Sequence, residues 1–176
     1  MDIIDLLIED HQEVDTLFTR FNQSSKPETV DELAKEIVRE LSIHAAVEEQ
    51  FVYPAMRLKI EGITDEVDHS IEEHSEVKQL LADLEKLDPE AKKFTQTMEE
   101  VISSVRHHME EEQDDLFPRF RDASTDDFRE NLGILVEKAK SVVPTHPHPL
   151  VPGTATAQLI AGPWASLVDH TRDLLR

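Results

Sequence analysis

The sequence predicts an all-α protein whose core is an up-down antiparallel four-helix bundle built from two related halves. Apolar residues recur every three or four positions, and the 176 residues include only 4 glycines, a pattern typical of amphipathic helices. The connections between these segments are short, which makes successive helices antiparallel neighbours. Two sets of motifs in the first half return in the second, so the bundle has an internal repeat.

Each of the four bundle helices is predicted from its own apolar stripe. Helix one carries the stripe Ile4, Leu7, His11, Val14, Phe18 and Phe21. Helix two carries Leu33, Ile37, Leu41, His44, Glu48 and Phe51, and we expect Ser25 to cap it, with Pro27 in its first turn and Glu28 completing a capping box. Helix three follows Gly62 and carries Val67, Ile71, His74, Val77, Leu81 and Leu84. Helix four is expected to begin at Asp88-Pro89 and carries Phe94, Met98, Val101, Val105, His108, Glu112 and Leu116.

The remaining third of the chain is predicted to be an extension of the bundle. We divide the chain into a metal-binding bundle, residues 1–120, and a C-terminal helical extension, residues 121–176. A fifth helix is expected from about Asp126 to Val142, capped by Ser124 or Thr125. The proline-rich stretch from Pro144 to Pro152 reads as an extended strap. A short amphipathic helix from Pro163 to Leu175 would dock on the bundle or on a second subunit, so monomer and homodimer both stay open.

Composition excludes several classes of function. The formal net charge is −20, with 38 acidic against 18 basic residues, which disfavours nucleic acid and anionic membranes as partners. The chain has no cysteine, so disulfides, thiolate catalysis and cysteine-bound metals are excluded. The N-terminus lacks a basic region of the signal-peptide type, and no apolar run approaches the roughly 20 residues that span a bilayer. We therefore expect a cytoplasmic protein.

The repeat places the same chemistry twice. The segment Ile8-Glu9-Asp10-His11 returns as Ile71-Glu72-Glu73-His74. The motif His44-x-x-x-Glu48, followed by Tyr53-Pro54, returns as His108-x-x-x-Glu112, followed by Phe117-Pro118. Each half thus offers one histidine and, about thirty residues later, a histidine and a glutamate one helical turn apart.

These residues are the candidate metal ligands. All six lie within apolar stripes: His11, His44, Glu48, His74, His108 and Glu112. The i, i+4 spacing puts each histidine beside its glutamate on one helix face. A purely structural polar core is the alternative, but it would bury glutamates with no partner at a cost of several kcal/mol. The set predicts two metal ions between the helices, each with terminal imidazoles, bridged by the two carboxylates.

Other residues are weaker candidates. His69 lies five positions before His74 and faces elsewhere in a regular helix, so it would become a ligand only in a distorted one. Tyr53, the single tyrosine, reads as a core residue rather than a redox participant. His107, His146, His148 and His170 read as surface or strap residues, and Glu49 or Glu111 is expected to support a ligand imidazole from outside. No catalytic residue beyond the metal ligands is identified.

The quoted motifs resemble the hemerythrin-like HHE cation-binding domain over residues 1 to about 120. The proline-rich strap and Gly162-Pro163 resemble those of actinobacterial, particularly mycobacterial, hemerythrin-like proteins. The resemblance implies two non-haem iron ions, bridged by carboxylates and an oxo or hydroxo group, with the four histidines as terminal ligands and Glu48 and Glu112 as bridges. Oxygen-carrying members have a fifth histidine four residues from the third-helix one, where this chain has Ser70 or Lys78, and their last carboxylate is an aspartate.

These departures favour reactivity over oxygen carriage. The cysteine-bearing domain of the family's iron-centre repair proteins has no counterpart before His11, which disfavours that role. We expect a di-iron protein that reacts with small oxidants, most of all one that disproportionates hydrogen peroxide in oxidative or nitrosative stress defence. The alternatives are a protein that binds O2 or NO, or senses iron, without turnover, and an iron or zinc store.

Overall fold

Helices account for most of the residues that the structure describes. It is a computed structural model, and it describes residues 1–147. The α-helices are α1 (Ile3–Gln23), α2 (Pro27–Val47), α3 (Tyr53–Lys59), α4 (Thr64–Leu84), α5 (Lys92–Glu111), α6 (Phe117–Ala123) and α7 (Asp126–Lys140). One π-helical turn, Glu48–Val52, joins α2 to α3, and another, Glu112–Leu116, joins α5 to α6. The predicted all-helical bundle is confirmed, and its second and fourth helices each contain a π-turn.

Two predicted helix starts are wrong, and one cap is right. The N-cap of α2 is Lys26 rather than Ser25, and it makes no side-chain capping bond. Helix α5 begins at Lys92, because the Asp88 carboxylate accepts a hydrogen bond from the Glu90 backbone at 2.9 Å and holds a separate turn before the helix. In α7 the Thr125 side chain accepts from the Phe128 backbone, as predicted, although the helix ends at Lys140 rather than Val142.

The bundle interior contains two apolar clusters with a polar layer between them. One cluster contains residues such as Leu7, Val47 and Phe120, and the other contains residues such as Phe18, Ile37 and Met98. On each long helix the predicted ligand histidine lies between a residue of one cluster and a residue of the other. The polar side chains are thus shielded from water above and below. Within residues 1–147, no helix is long and apolar enough to cross a membrane.

The π-turns are explained by the repeated prolines. Pro54 has no N–H, and in a regular α-helix its ring would collide with the carbonyl four residues earlier. In the wider turn the Tyr53 N–H bonds instead to the Glu48 carbonyl, five residues back. The Phe117 N–H bonds to the Glu112 carbonyl in the same way, just before Pro118. Each π-turn therefore begins at one of the two predicted bridging glutamates.

Helix α7 packs against α1, α2 and the first π-turn. Its apolar face joins the first cluster through Leu132, Leu135, Val136 and Ala139. Arg129 is 4% exposed; it donates to Asp2 at 2.7 Å and to the carbonyls of Arg121 and Ser124. This residue ties the start of α7 to both the N-terminus and the end of α6. The division of the chain at residue 120 stays a prediction, and the expected final helix and most of the strap lie outside the described residues.

The close approach of α7 to the N-terminus yields a test of this packing. A methyl group added at Gly133 would lie 2.2 Å from the backbone oxygen of Met1. Gly133→Ala in an exposed helix should stabilise by about 0.5–1 kcal/mol, but here we expect a loss of about 1–3 kcal/mol because backbone must move. Chemical denaturation followed by circular dichroism measures the change. Glu130→Ala, on an exposed position of the same helix, is the control, and a stabilised Gly133→Ala protein would contradict this packing.

Candidate metal centre

The six predicted ligands converge in the polar layer of the bundle. Their exposed fractions are at most 6%, and Glu48 and Glu112 are fully buried. Helix α1 supplies His11, α2 supplies His44, α4 supplies His74 and α5 supplies His108, while each glutamate comes from the first residue of a π-turn. All four imidazoles direct Nε2 toward the bundle axis, where the two carboxylates meet them.

The side chains form two ligand sets. In the first, His11 Nε2 lies 3.2 Å from His44 Nε2 and 3.4 Å from Glu112 Oε2, and His44 Nε2 lies 3.1 Å from Glu48 Oε2. In the second, His74 Nε2 lies 2.9 Å from His108 Nε2 and 3.4 Å from Glu48 Oε2. Atoms that bind one ion at about 2.1 Å are about 3.0–3.4 Å apart. Glu48 belongs to both sets, and Glu112 Oε2 is also 3.5 Å from His108 Nε2, so each carboxylate faces both ion positions.

Hydrogen bonds on the outer side of the rings show which nitrogens face inward as acceptors. His74 Nδ1 lies 3.0 Å from Glu49 Oε1, and His108 Nδ1 lies 2.8 Å from Glu73 Oε2. A carboxylate only accepts, so each Nδ1 donates and each neutral ring keeps a lone pair on Nε2. Two lone pairs facing each other at 2.9 Å repel unless a proton or a metal ion lies between them. This donor arrangement fits a bound cation.

The buried carboxylates need a cation as well. Both oxygens of Glu48, and Oε2 of Glu112, have no hydrogen-bond partner among the described residues. Burial and the neighbouring charge of Glu112 raise the pKa of Glu48 well above its ordinary value. Burial alone would also raise the pKa of Glu112, but the imidazoles of His108, His11 and His44 lower it below the ordinary range. Burial lowers the pKa of His44 to about 4, so this ring is uncharged and ready to bind metal at neutral pH.

Acidic side chains outside the ring of ligands hold the imidazoles in place. Glu49 accepts from His74 and from the Lys78 ammonium at 2.5 Å. Glu73 accepts from His108, and the His108 imidazole lowers the pKa of Glu73. On the opposite side, Asp10 Oδ2 lies 3.8 Å from His44 Nδ1, too far for a hydrogen bond, and neither atom has another partner among the described residues. Carboxylates placed behind metal-bound histidines fix the tautomer and raise the basicity of the ligand nitrogen.

Two of these acidic residues, Asp10 and Glu73, were not predicted to face a ligand, although the repeat contains their signal. Asp10 and Glu73 precede His11 and His74 at matching positions of the two halves. Each of them faces the histidine of the neighbouring helix rather than the one beside it in sequence. Periodicity treats both as solvated residues, because an acidic residue next to a buried histidine falls outside the apolar stripe. The repeated acidic residue before each histidine could have identified them.

Tyr53 lies closer to the ligands than its interpretation as a core residue predicts. Its hydroxyl donates to Glu112 Oε1 at 2.9 Å and lies 3.4 Å from His74 Nε2. In a regular helix the fifth residue after Glu48 would be rotated by about 140°, but the π-turn returns it to the ligand face. Burial and the charges of Glu112 and Glu48 raise the pKa of Tyr53 well above 10.0, so the hydroxyl stays a donor. Phe117, its counterpart, stacks on His11 with ring centroids 5.7 Å apart.

The weaker histidine candidates lie away from the buried centre. The His69 side chain is 59% exposed and the His107 side chain 64% exposed, and both approach Glu111 rather than the six ligands. His146 pairs with Glu85 on the surface at 2.8 Å. His148 and His170 lie outside the described residues. Of the two glutamates expected to support a ligand, Glu49 does so, whereas Glu111 contacts the exposed His69 and His107.

Comparison with known proteins agrees with this geometry. Residues 2–120 match the family described as the hemerythrin HHE cation-binding domain. The chain belongs to this family. The fold is also that of a hemerythrin HHE cation-binding domain-containing protein from Mycobacterium kansasii, whose crystal structure aligns with a TM-score of 0.72 at 22% identity, over 96% of this chain and 98% of that one. The family and the described clusters of histidine and glutamate together identify a centre able to bind metal ions.

Two curated relatives extend the comparison. A hemerythrin-like protein of Schizosaccharomyces pombe that is described as uncharacterized is 25% identical over 98% of this chain and 86% of its own length. A protein of Nostoc named DNA nickase is 31% identical over 81% of this chain. This chain spans only 40% of the length of the Nostoc protein. The name DNA nickase therefore describes a polypeptide much longer than this chain.

The unpartnered Glu48 predicts a conflict between metal binding and stability. In the metal-free protein, Glu48→Gln removes a buried charge that repels Glu112, and we expect a gain of about 1–4 kcal/mol. The folded pKa of Glu48 is above the unfolded value of 4.5. The penalty is therefore absent below pH 4.5 and grows as the pH rises through the folded pKa. Thermal unfolding of chelator-treated protein at pH 4.5 and pH 8 should show the gain only at pH 8.

Glu36→Gln is the matched control for this prediction. Glu36 lies on the same helix, its side chain is 49% exposed, and its neutralisation should leave the metal-free protein unchanged at both pH values. If Glu48→Gln destabilises the metal-free protein at pH 8, then the carboxylate has a cationic partner that this geometry does not show.

The support of His74 by Glu49 predicts an effect on metal affinity. Glu49→Gln keeps the size of the side chain but removes the carboxylate that accepts from Nδ1–H, and such changes lower metal affinity about 10–100-fold. Competition with a chromogenic chelator measures the affinity, again with Glu36→Gln as the control. Equal affinities for Glu49→Gln and the unmodified protein would show that the Glu49 contact does not tune the ligand.

Proposed function

We propose that the chain holds two non-haem iron ions and disproportionates hydrogen peroxide as a defence against oxidative or nitrosative stress. His11 and His44 would bind one ion, His74 and His108 the other, and Glu48 and Glu112 would bridge them. One observation carries the proposal: two buried ligand sets share Glu48, and a shared carboxylate is the arrangement that couples two ions. Mixed imidazole and carboxylate ligands suit iron.

The chemistry requires two electrons to be taken up and returned. One peroxide molecule is reduced to two molecules of water, and a second is oxidised to dioxygen, so protons and electrons balance over the pair. The iron ions, when bound, supply and recover these electrons. The protein supplies the geometry: Tyr53 orients Glu112, Glu49 and Glu73 orient two of the imidazoles, and the apolar clusters exclude bulk water from the centre.

The size of the space beside the ligands supports a small substrate. A cavity of about 20 Å³ lies against His44, His74 and His108, with Leu41 and Val77 among its apolar walls. A single water needs about 10–15 Å³, so this space has room for a molecule of a few atoms. Peroxide, O2 and NO satisfy that limit equally.

Binding without turnover is the alternative, in which the centre captures O2 or NO or reports iron. The same ligands could serve either function, because the residues that coordinate a metal do not by themselves determine its reaction. The name of the Nostoc relative supplies no third proposal here: the net charge of −20 opposes contact with a DNA backbone.

Metal content and oxygen evolution test the proposal together. We expect the purified protein to contain about two iron ions per chain and to release O2 from peroxide. Glu48→Gln and Glu112→Gln should lose both properties, whereas His11→Ala and His74→Ala should retain one weakly held ion. Elemental analysis and an oxygen electrode measure the two quantities.

His146→Ala is the control, because His146 is exposed and pairs with Glu85 at the surface, away from the buried ligands. Full iron and full turnover in the Glu48 and Glu112 variants would refute the assignment of the ligands. An iron-loaded protein that evolves no O2 but changes its absorption spectrum reversibly with O2 or NO would establish the binding alternative instead.

A further inference from the structure

A second group of metal-ligating side chains lies outside the buried centre, in the groove between α4 and α5. His69 Nε2 is 3.8 Å from Glu73 Oε1 and 3.9 Å from Glu111 Oε2. One ligand atom from each of these residues lies within 4.8 Å of the others. His107 Nε2 approaches the other oxygen of Glu111 at 3.4 Å, so two imidazoles meet at the same carboxylate. We call His69, Glu73 and Glu111 the groove cluster.

Two members of the groove cluster, His69 and Glu111, line a strongly acidic pocket. The pocket has a volume of about 540 Å³, and its other lining residues include Asp65, Glu110 and Asp114. Such a concentration of negative charge in a concave surface raises the local concentration of cations and their association rate. Acidic surfaces of this kind are common without any bound ion. The two imidazoles distinguish this one, because nitrogen ligands select transition metals over diffuse counterions.

Glu73 connects the pocket to the buried centre. Its Oε1 faces His69, while its Oε2 accepts from His108 Nδ1 at 2.8 Å. Ser70, which also lines the pocket, is the small residue one turn before His74 on the same helix. A cation held at the groove cluster would thus share Glu73 with His108, a ligand of the buried centre.

We propose that the groove cluster binds a single divalent transition-metal ion, separate from the buried pair, and that this ion is in transit to the buried ligands. His69 and Glu111 are exposed by 59% and 44%, so their side chains can close the gaps of 3.8–3.9 Å around an ion and open again. That mobility makes the site weaker and faster to exchange than the buried centre. The proposal requires metal binding at the inner ligands but not peroxide turnover.

Cobalt(II) binding to the full-length protein tests the proposal without peroxide. Equilibrium dialysis counts the ions bound per chain, and stopped-flow absorbance follows the filling of the buried ligands. We expect the unmodified protein to bind one more ion, weakly, than the buried centre holds. His69→Ala and Glu111→Gln should lose this weak ion, keep the tightly bound ones, and fill the buried ligands about tenfold more slowly.

Glu110→Gln is the matched control, because it removes the same charge from the same pocket but lies outside the groove cluster. It should keep the weak ion and a nearly unchanged filling rate. The proposal is overturned if the unmodified protein binds no weak ion, if His69→Ala and Glu111→Gln both retain it, or if they fill the buried ligands at the unmodified rate. Loss of peroxide turnover alone would bear on the proposed function and leave this result intact.

Discussion

Burial of Glu48 and Glu112 at the bundle axis is the constraint on which the rest of the structure depends. Both carboxylates are fully buried, and the residues around them are imidazoles and a tyrosine rather than lysine or arginine. A buried carboxylate without a cation costs several kcal/mol. The apolar clusters on either side offset that cost, because burying the apolar stripes of the helices stabilises the fold. The same clusters exclude water that would otherwise solvate the carboxylates. The fold thus stabilises a centre that is complete only with added positive charge.

The π-turns show how the backbone serves this centre. A regular helix can present His44 and Glu48 on one face, but it would then turn the next aromatic residue away. The proline six positions after each glutamate disfavours the regular helix, and the wider turn brings Tyr53 above one pair of ligands and Phe117 above the other. The extra residue in each π-turn interrupts the regular i→i−4 hydrogen bonds of the helix. The π-turns also place two aromatic rings against the ligands and direct the Tyr53 hydroxyl to donate to Glu112.

Much of this could be predicted from the sequence, because the relevant signals are local. The apolar stripes identify the helices, and polar residues inside those stripes identify the six side chains that converge. The π-turns could not be predicted from periodicity. One inserted residue shifts the apolar stripe only in the residues that follow it, and the short helices after each π-turn are too brief to reveal that shift. The start of α5 was missed because Asp88-Pro89 has the composition of a cap but forms a separate turn. The contacts of Asp10 and Glu73 depend on how neighbouring helices face each other, which only the packed structure defines.

The two halves of the repeat differ in the residues that support the ligand histidines. Glu49 supports His74 and is itself held by Lys78, but the corresponding residue of the second half is Gln113, whose amide donates to the Met109 carbonyl. Neither His11 Nδ1 nor His44 Nδ1 has a hydrogen-bond partner among the described residues. An imidazole supported by a carboxylate is the more basic ligand and the more rigid one. The two ion positions of the proposed pair are therefore inequivalent, because carboxylates hold the imidazoles of His74 and His108 but form no such hydrogen bond to His11 or His44 among the described residues.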